Sequence, residues 1–416
     1  MAPAFQTRRR IAHRGARSGE HHTAPRDTTG GDFCRGRDKI PIPRQWILAR
    51  MTPWKAPLAA ATAILLAAGL VPPASASTRG DFAPVPLPFF WPNNSLYDVD
   101  AASPDSVWIT GNQGELFVPG PIPGMGTTIP GNPVVRRWKN GGWVEYDLQN
   151  LPGQATVGDV DAVAPEDVWI SATRFGGSAA AGPYLGHFTG TRFEEVALPS
   201  ASTALTVQAS AAGVWVTVDS GVYRRTGGTW TFVTSYPDVY LRTAHIRADD
   251  DIWVIGAPGP YDQVPQAYHW DGRSWTNVPV NGLPEGRIGI LDMVALSPAD
   301  AWAIGWNVST SPITSIMLHW DGTAWTDVAP PPGLNGLSRI VKGENGELWA
   351  VGHLLDEPAK PGLLHYSGGT WTRVPTTAVP NRTNVNASAL AVVPGTGALW
   401  TLGPVNIGGP VVLSDG

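Results

Sequence analysis

One feature constrains the fold more than any other: an apolar strand ending in tryptophan recurs seven times, but the aromatic strand that follows it recurs only six times downstream. The first pattern is "DSVWITG" (Trp108), "EDVWISA" (Trp169), "AGVWVTV" (Trp215), "DDIWVIG" (Trp253), "ADAWAIG" (Trp302), "GELWAVG" (Trp349) and "GALWTLG" (Trp400). Successive anchors lie 61, 46, 38, 49, 47 and 51 residues apart, the chain length of a four-stranded antiparallel unit. Between anchors a small turn leads into an aromatic strand: "GGWVEYDL", "GTRFEEVALP", "GGTWTFVTS", "DGRSWTNVPV", "DGTAWTDVAPPP" and "GGTWTRVPTT". The missing seventh copy is found far upstream, as "RGDFAPVPLP" around Phe82, while the chain ends "VVLSDG", where that strand would be due. A strand from each extremity therefore completes the last unit. The implied architecture is all-β: a seven-bladed propeller, four antiparallel strands per blade, closed by the first strand of the mature chain. Ring closure also removes the exposed sheet edges of an open array.

Within each unit, strand A is apolar ("LYDVDAA", "LDMVALS"), and a Ser/Ala-Pro-x-Asp turn leads to strand B with its Trp-φ-φ-Gly ending. A loop of variable length precedes strand C ("IMLHW"), and an Asp-Gly or Gly-Gly hairpin turn precedes strand D ("WTDV"). Fifteen of the 19 Trp fall in repeat slots, so they read as wedges between sheets rather than as ligand contacts. The same logic disposes of the His-Trp-Asp-Gly block. His187, His269, His319 and His365 occupy one slot of strand C, with Arg137 and Arg225 in that slot elsewhere, and Asp271 and Asp321 are turn residues. A catalytic pair has no reason to be copied around a ring.

The N-terminal region reads differently. Residues 1–50 carry 11 basic and 4 acidic side chains, show no apolar periodicity and hold the sole cysteine, Cys34. They read as a basic leader or as sequence upstream of the true start. Residues 51–76 have the form of a secretory signal peptide: Met51, Lys55, an apolar run from Leu58 to Val71, and the small-residue site Ala74-Ser75-Ala76. Residues 77–416 are then the propeller domain, expected to be extracellular, monomeric and without a stable membrane anchor, disulfide, cofactor or metal. With 17 basic and 30 acidic side chains this region has a net charge of −13, which disfavours nucleic acid as a partner.

The third unit, "GVWVTVDSGVYRRTGGTWTFV", resembles a tectonin-type repeat, and the others resemble the "DxWAVG…LHWDGxxW" units of secreted actinobacterial propellers, loosely grouped with Kelch and galactose-oxidase-like domains. Tectonin-type propellers commonly bind glycans, so the resemblance implies recognition of a glycan. The copper–Cys–Tyr centre of galactose-oxidase-like enzymes cannot be built from residues 77–416, which contain no cysteine.

Residues outside the repeat consensus are the functional candidates. Trp91, in the linker "PLPFFWPNN" with Phe90, and Trp306, at the start of a B–C loop, map to the side carrying the long B–C loops, where they could stack on sugar faces. Phe89, Phe90 and Trp91 could equally seal the join between the termini. Ten residues before each anchor lie Asp98, Asp159, Leu205, Thr243, Asp292, Arg339 and Leu390, at the entry to the innermost strands. Asp98, Asp159, Asp292 and Arg339 could converge on a central channel as a polar or cation-binding throat, or simply bond to amides of neighbouring blades. Two function classes follow. The favoured one is a recognition propeller for an extracellular glycan or surface polymer, with a protein partner also possible. The other is a polysaccharide lyase or hydrolase at the channel mouth, drawing a base, a proton donor and a cation from His245, His353, Tyr261 and Arg339.

Overall fold

The computed structural model describes residues 80–416 apart from 121–125, 177–179, 201–205, 260–263 and 404–408. The readings made for residues 1–50 and 51–76 lie outside the described residues. Among the described residues, seven blades of four antiparallel strands make up most of the structure, two of them with an added parallel edge strand, and there is almost no helix. Strands A to D are Ser95–Ser103, Ser106–Gln113, Asn132–Lys139 and Gly142–Glu145 in blade 1. They are Ala155–Ala164, Asp167–Arg174, Gly182–Phe188 and Arg192–Glu195 in blade 2, and Thr206–Ser210, Gly213–Val218, Gly221–Thr226 and Thr229–Ser235 in blade 3. Blade 4 comprises Tyr240–Ala248, Asp251–Ala257, Gln266–Trp270 and Trp275–Val278. Blade 5 comprises Ile288–Ser297, Asp300–Asn307, Thr314–Trp320 and Trp325–Asp327, and blade 6 Leu334–Lys342, Leu348–Leu354, Pro361–Ser367 and Thr370–Val374. Blade 7 takes Ala389–Val392, Leu399–Gly403 and Val411–Ser414 from the C-terminal end and Ala83–Pro84 from the N-terminal end.

The closing strand pairs Ala83 with Ser414 and Pro84 with Leu413, and the Val85 N–H donates to the Val412 carbonyl. Beside it Phe82 is buried, and the Asp415 carboxylate accepts from the Gly80 and Leu399 amides. Both extremities are thus built into one sheet, as the displaced seventh copy requires.

The core is divided among the seven blade interfaces, and one repeat Trp fills each. Trp108 packs on Val157, Ile170 and Phe193 of blade 2, Trp169 on Val207 and Val216 of blade 3, and Trp215 on Ile246 and Ile252 of blade 4. Trp253 packs on Ile290 and Trp325, Trp302 on Leu337 and Ile340, Trp349 on Leu390 and Leu399. Trp400 returns to Val99, Ile109 and Val134 of blade 1. Sheets apolar on both sides follow from this arrangement, since every blade has two neighbours.

The histidine slot is structural. His187, His269, His319 and His365 stack on Trp169, Trp253, Trp302 and Trp349 with ring centroids 4.0–4.2 Å apart. The Nε2 atoms bond Asp167, Asp251, Asp300 and Glu347 at 2.8–3.0 Å, each the residue two before the anchor Trp. In blade 1 Arg137 takes this place, reaching Glu166 at 3.1 Å. In blade 3 the slot belongs to Arg224, not Arg225. Arg224 lies opposite Trp215 and bonds Asp249 at 2.7 Å, whereas Arg225 projects over Trp169 of the preceding blade. Arg224 stands three residues before Gly227-Gly228, as His365 does before Gly368-Gly369.

The C–D turns fall into two kinds. Asn140-Gly141, Gly227-Gly228 and Gly368-Gly369 have positive φ at both residues, the conformation of tight two-residue hairpins. Asp271 and Asp321 instead hold wider turns, accepting from the amides two and three residues on at 2.8–3.1 Å. These bonds draw the exposed Asp321 carboxyl down to about 2, its largest cause being the Thr323 hydroxyl. The blade 1 B–C loop contains a hairpin of its own, Leu116–Pro119 with Gly126–Ile129, which the sequence pattern did not suggest. No helix among the described residues is long and apolar enough to cross a membrane.

Candidate functional site

Two regions gather the residues that the repeat leaves unexplained: the central channel and the loop-bearing side next to blade 1. In blades 1, 5 and 6 the channel register goes with a glycine. In Trp-φ-φ-Gly, a Cβ at Gly111, Gly305 or Gly352 would lie 2.0, 1.9 or 2.2 Å from the carbonyl of Ser95, Gly289 or Gly336 in strand A. That close approach accompanies a β-bulge in strand A, between Leu96 and Asp98, Ile290 and Asp292, or Leu337 and Arg339. The residue after the bulge is the channel residue. Blades 2 and 4 bulge at the corresponding place, before Asp159 and Thr243.

Blade 2 keeps the bulge with Ala172 in the glycine slot, whereas blade 3, with Val218 there, pairs its strands A and B without a shift. The channel-facing register there falls on Thr206 and Gln208, while Val207 packs back on Trp169; Leu205 lies outside the described residues. In blade 7, Ala391 is opposite Trp400, and Leu390 faces the Trp349 cluster.

The channel residues bond from blade to blade. Asp98 accepts from the Val160 amide at 3.2 Å and Asp100 from Ala162 at 2.7 Å; Asp161 accepts from Ala209 at 3.0 Å. Gln208 accepts from Ile246 at 2.5 Å and Asp292 from Ile340 at 2.9 Å. Each is a staple from one innermost strand to the next. Asp159 instead accepts from the Ser171 hydroxyl at 2.7 Å. Arg339 crosses to Asp98, donating from Nη2, with its Nε 3.9 Å from Asp292. These side chains, with Thr243 and His245, line a cavity of about 680 Å³.

Its electrostatics follow from crowding acids around one guanidinium. Burial pushes Asp98 up to about 7 against the pull of Arg339, and pushes Asp100 up to about 6 against the Ala162 amide. Asp161 is raised well above the carboxylate range by burial and then by Asp100, and Asp292 is raised by burial. Asp98 in turn holds Arg339 firmly protonated. His245 is lowered to about 4 by burial and then by Arg247, so its imidazole is neutral at physiological pH; its Nδ1 lies 3.4 Å from Gln208 Nε2. Among the described residues, no three His, Cys, Asp or Glu side chains converge closely enough to hold a metal ion. What the arrangement can do chemically is orient a hydrogen-bonding or charged ligand.

The residues named for acid–base chemistry are not gathered. His245 and Arg339 line the channel, and His353 is absent from its lining. His353 ends strand B of blade 6, its Nδ1 3.5 Å from Asn335 Nδ2, and burial lowers its pKa more than Asn384 raises it. Tyr261 lies outside the described residues.

Beside blade 1 the linker aromatics divide their roles. Phe90 faces inward, packed on the Trp400 cluster with the Arg136 guanidinium 4.0 Å above its ring. Phe89 and Trp91 face out, 73% and 59% exposed, and meet edge to face at 5.6 Å. Trp91 is fixed at its backbone: its N–H donates to Gln113 Oε1 at 3.1 Å and its carbonyl accepts from Asn94 at 2.8 Å. Asn93 and Pro92 then bond the Gly114–Glu115 backbone, which leads into the hairpin bearing exposed Leu116, Val118 and Ile129. Trp306 is half-buried between strands A of blades 5 and 6, close against Gly289 and Gly336. Sequence reasoning grouped Phe89 with Phe90 and Trp91 but singled out the latter two for binding, and it missed the hairpin and Gln208; the bulky valine ending "VWVTV" was the signal for the last.

No family model matches this chain, and no curated protein matches it in sequence. Among solved structures it is similar to one described as YCF48 bound to D1 peptide, with a TM-score of 0.51 and 14% identity over 78% of this chain and 93% of that one. At that identity the likeness supports the propeller fold alone.

Proposed function

We propose that this chain is an exported recognition propeller that binds an extracellular glycan or surface polymer on its loop-bearing side, beside blade 1. One observation carries the reading: Phe89 and Trp91 present two large aromatic faces to solvent from a backbone pinned to a rigid sheet. An exposed Trp is costly to keep in water, and one held by its own backbone bonds loses little further freedom when a sugar ring stacks on it. The signal-like segment at 51–76 and the tectonin-like third unit support export and a glycan ligand.

Glycan-array binding followed by titration of the best ligand tests this. Phe89→Ala with Trp91→Ala is expected to weaken binding at least ten-fold, about 1.4 kcal/mol, while thermal stability stays near that of the parent. Absence of any glycan that depends on this pair would sink the reading.

A second reading is a polypeptide ligand at the same place. The exposed aliphatic row Leu116, Val118 and Ile129 favours it, because sugars make little use of aliphatic side chains. The structural neighbour described with a bound peptide lends it support. Binding lost on Leu116→Asp with Val118→Asp but kept without the aromatic pair would select it.

A further inference from the structure

The seven outermost strands differ in how their outer edges are protected. A bare strand edge invites pairing, and natural sheets blunt it with charge, proline or a covering segment. Blade 1 carries Glu145 on its outer strand, blade 6 carries Arg373, and Pro84 and Pro279 lie on or immediately after those of blades 7 and 4. Blades 2 and 5 are covered. Asp147–Leu148 lies parallel on Arg192–Phe193, and Val280–Asn281 lies parallel on Trp325–Thr326. Blade 3 has no charge, proline or cover there: Thr229–Ser235, "TWTFVTS", is seven residues long, the longest outer strand, and its one irregularity is a bulge at Val233, past the regularly paired Thr229–Phe232. Among the described residues nothing pairs with its outer edge.

Local shape agrees with a berth for an added strand. Among the described residues, the preceding linker meets this strand at its start, where Trp230 Nε1 donates to the Ala197 carbonyl at 2.7 Å. Further along, Phe232 is 55% exposed, and beside it lies a cavity of about 340 Å³ lined by Arg224, Thr231, Val233, Asp249 and Trp270.

The molecule also shows what such an edge accepts. In both covered blades the added segment is extended, parallel and two residues long, with one aliphatic residue packed in and one polar residue turned out. Leu148 joins the core cluster of Phe193, and Val280 joins that of Trp325. We propose that the outer edge of blade 3 receives an extended polypeptide segment from another protein, running parallel to Thr229–Ser235. The segment pairs through one polar and one aliphatic residue and sets the aliphatic side chain into the cavity beside Phe232. Main-chain hydrogen bonds supply the attraction, and the Phe232, Val233 and Trp270 side of the cavity supplies the preference for an aliphatic residue.

The probes are fluorescein-labelled synthetic peptides of Tyr146–Leu151 and Val278–Leu283, the protein's own edge-covering segments, offered in trans to the full chain. A saturable anisotropy rise is expected below about 1 mM, with slowed amide exchange confined to residues 229–235. Phe232→Lys and, separately, Val233→Lys should weaken binding at least ten-fold while the far-ultraviolet spectrum and Tm stay close to the parent's. Replacing Leu148 by Asp in the peptide should do the same. Trp91→Ala should leave it unchanged, which separates this site from the glycan reading. No saturable binding by either peptide, equal binding to both lysine variants, or protection appearing elsewhere overturns the proposal.

Discussion

At the scale of the residue, the channel acids make stability depend on pH in an unusual direction. Burial raises Asp100 from 3.8 to about 6, so the folded protein holds a proton there that the unfolded chain has released. Its contribution is therefore fully present below about pH 4 and is lost as pH rises through 6. Asp100→Asn keeps an oxygen for the Ala162 amide and removes the charge. Urea unfolding at pH 8 should show the variant about 1–2 kcal/mol more stable, the channel water tempering the full effect, and the gain should vanish at pH 4. A loss at pH 8 would mean that Arg339 outweighs burial. Asp98, Asp159, Asp292 and Arg339 were legible in the sequence because a fixed offset from each Trp places them. Thr206 and Gln208 were not, because strand A of blade 3 has no bulge, which moves its register by one residue.

At the scale of the element, the glycine of Trp-φ-φ-Gly leaves room for the bulge in blades 1, 5 and 6, while Ala172 holds that place beside the bulge of blade 2. Gly305→Ala would force a methyl against the Gly289 carbonyl 1.9 Å away, so the bulge must open and Asp292 must turn. A destabilisation of about 2–4 kcal/mol is expected in chemical denaturation. Glycine at this site could be read from the sequence, but its purpose could not, since the clash involves the backbone of another strand. The stacked histidines give a second test. His269→Leu removes a partner of Asp251, which is nearly fully buried, whereas His319→Leu removes one from the half-exposed Asp300. The first should cost about 1–2 kcal/mol and the second less than about 1 kcal/mol, because water can replace the imidazole at an exposed carboxylate. Equal costs would show that stacking on Trp, and not the bond to the acid, sets the value of the slot.

At the scale of the whole molecule, seven interfaces in a ring mean that none is terminal. Trp400 of blade 7 packs on blade 1 as Trp108 packs on blade 2, and blade 7 is complete only because Phe82 and Ala83–Pro84 return to it. This closure was the most legible part of the sequence, because a strand missing at one end and a surplus strand at the other together require that the two ends meet in one sheet. The side on which ligands bind was less so, since exposure of Phe89 and Trp91 depends on how the linker crosses the finished join. Removing the chain up to Asn93 would strip the outer strand from blade 7, take the Gly80 donor away from the Asp415 carboxylate and open the Val351 and Leu413 core to water. Phe82→Ala isolates the packing share of that loss, expected to be about 3–4 kcal/mol. Truncation should cost more than the point variant, lowering Tm by at least about 10 °C and directing the first proteolytic cuts to blades 7 and 1. A truncated form as resistant to heat and protease as the parent would show that six complete blades hold the ring shut without the seventh.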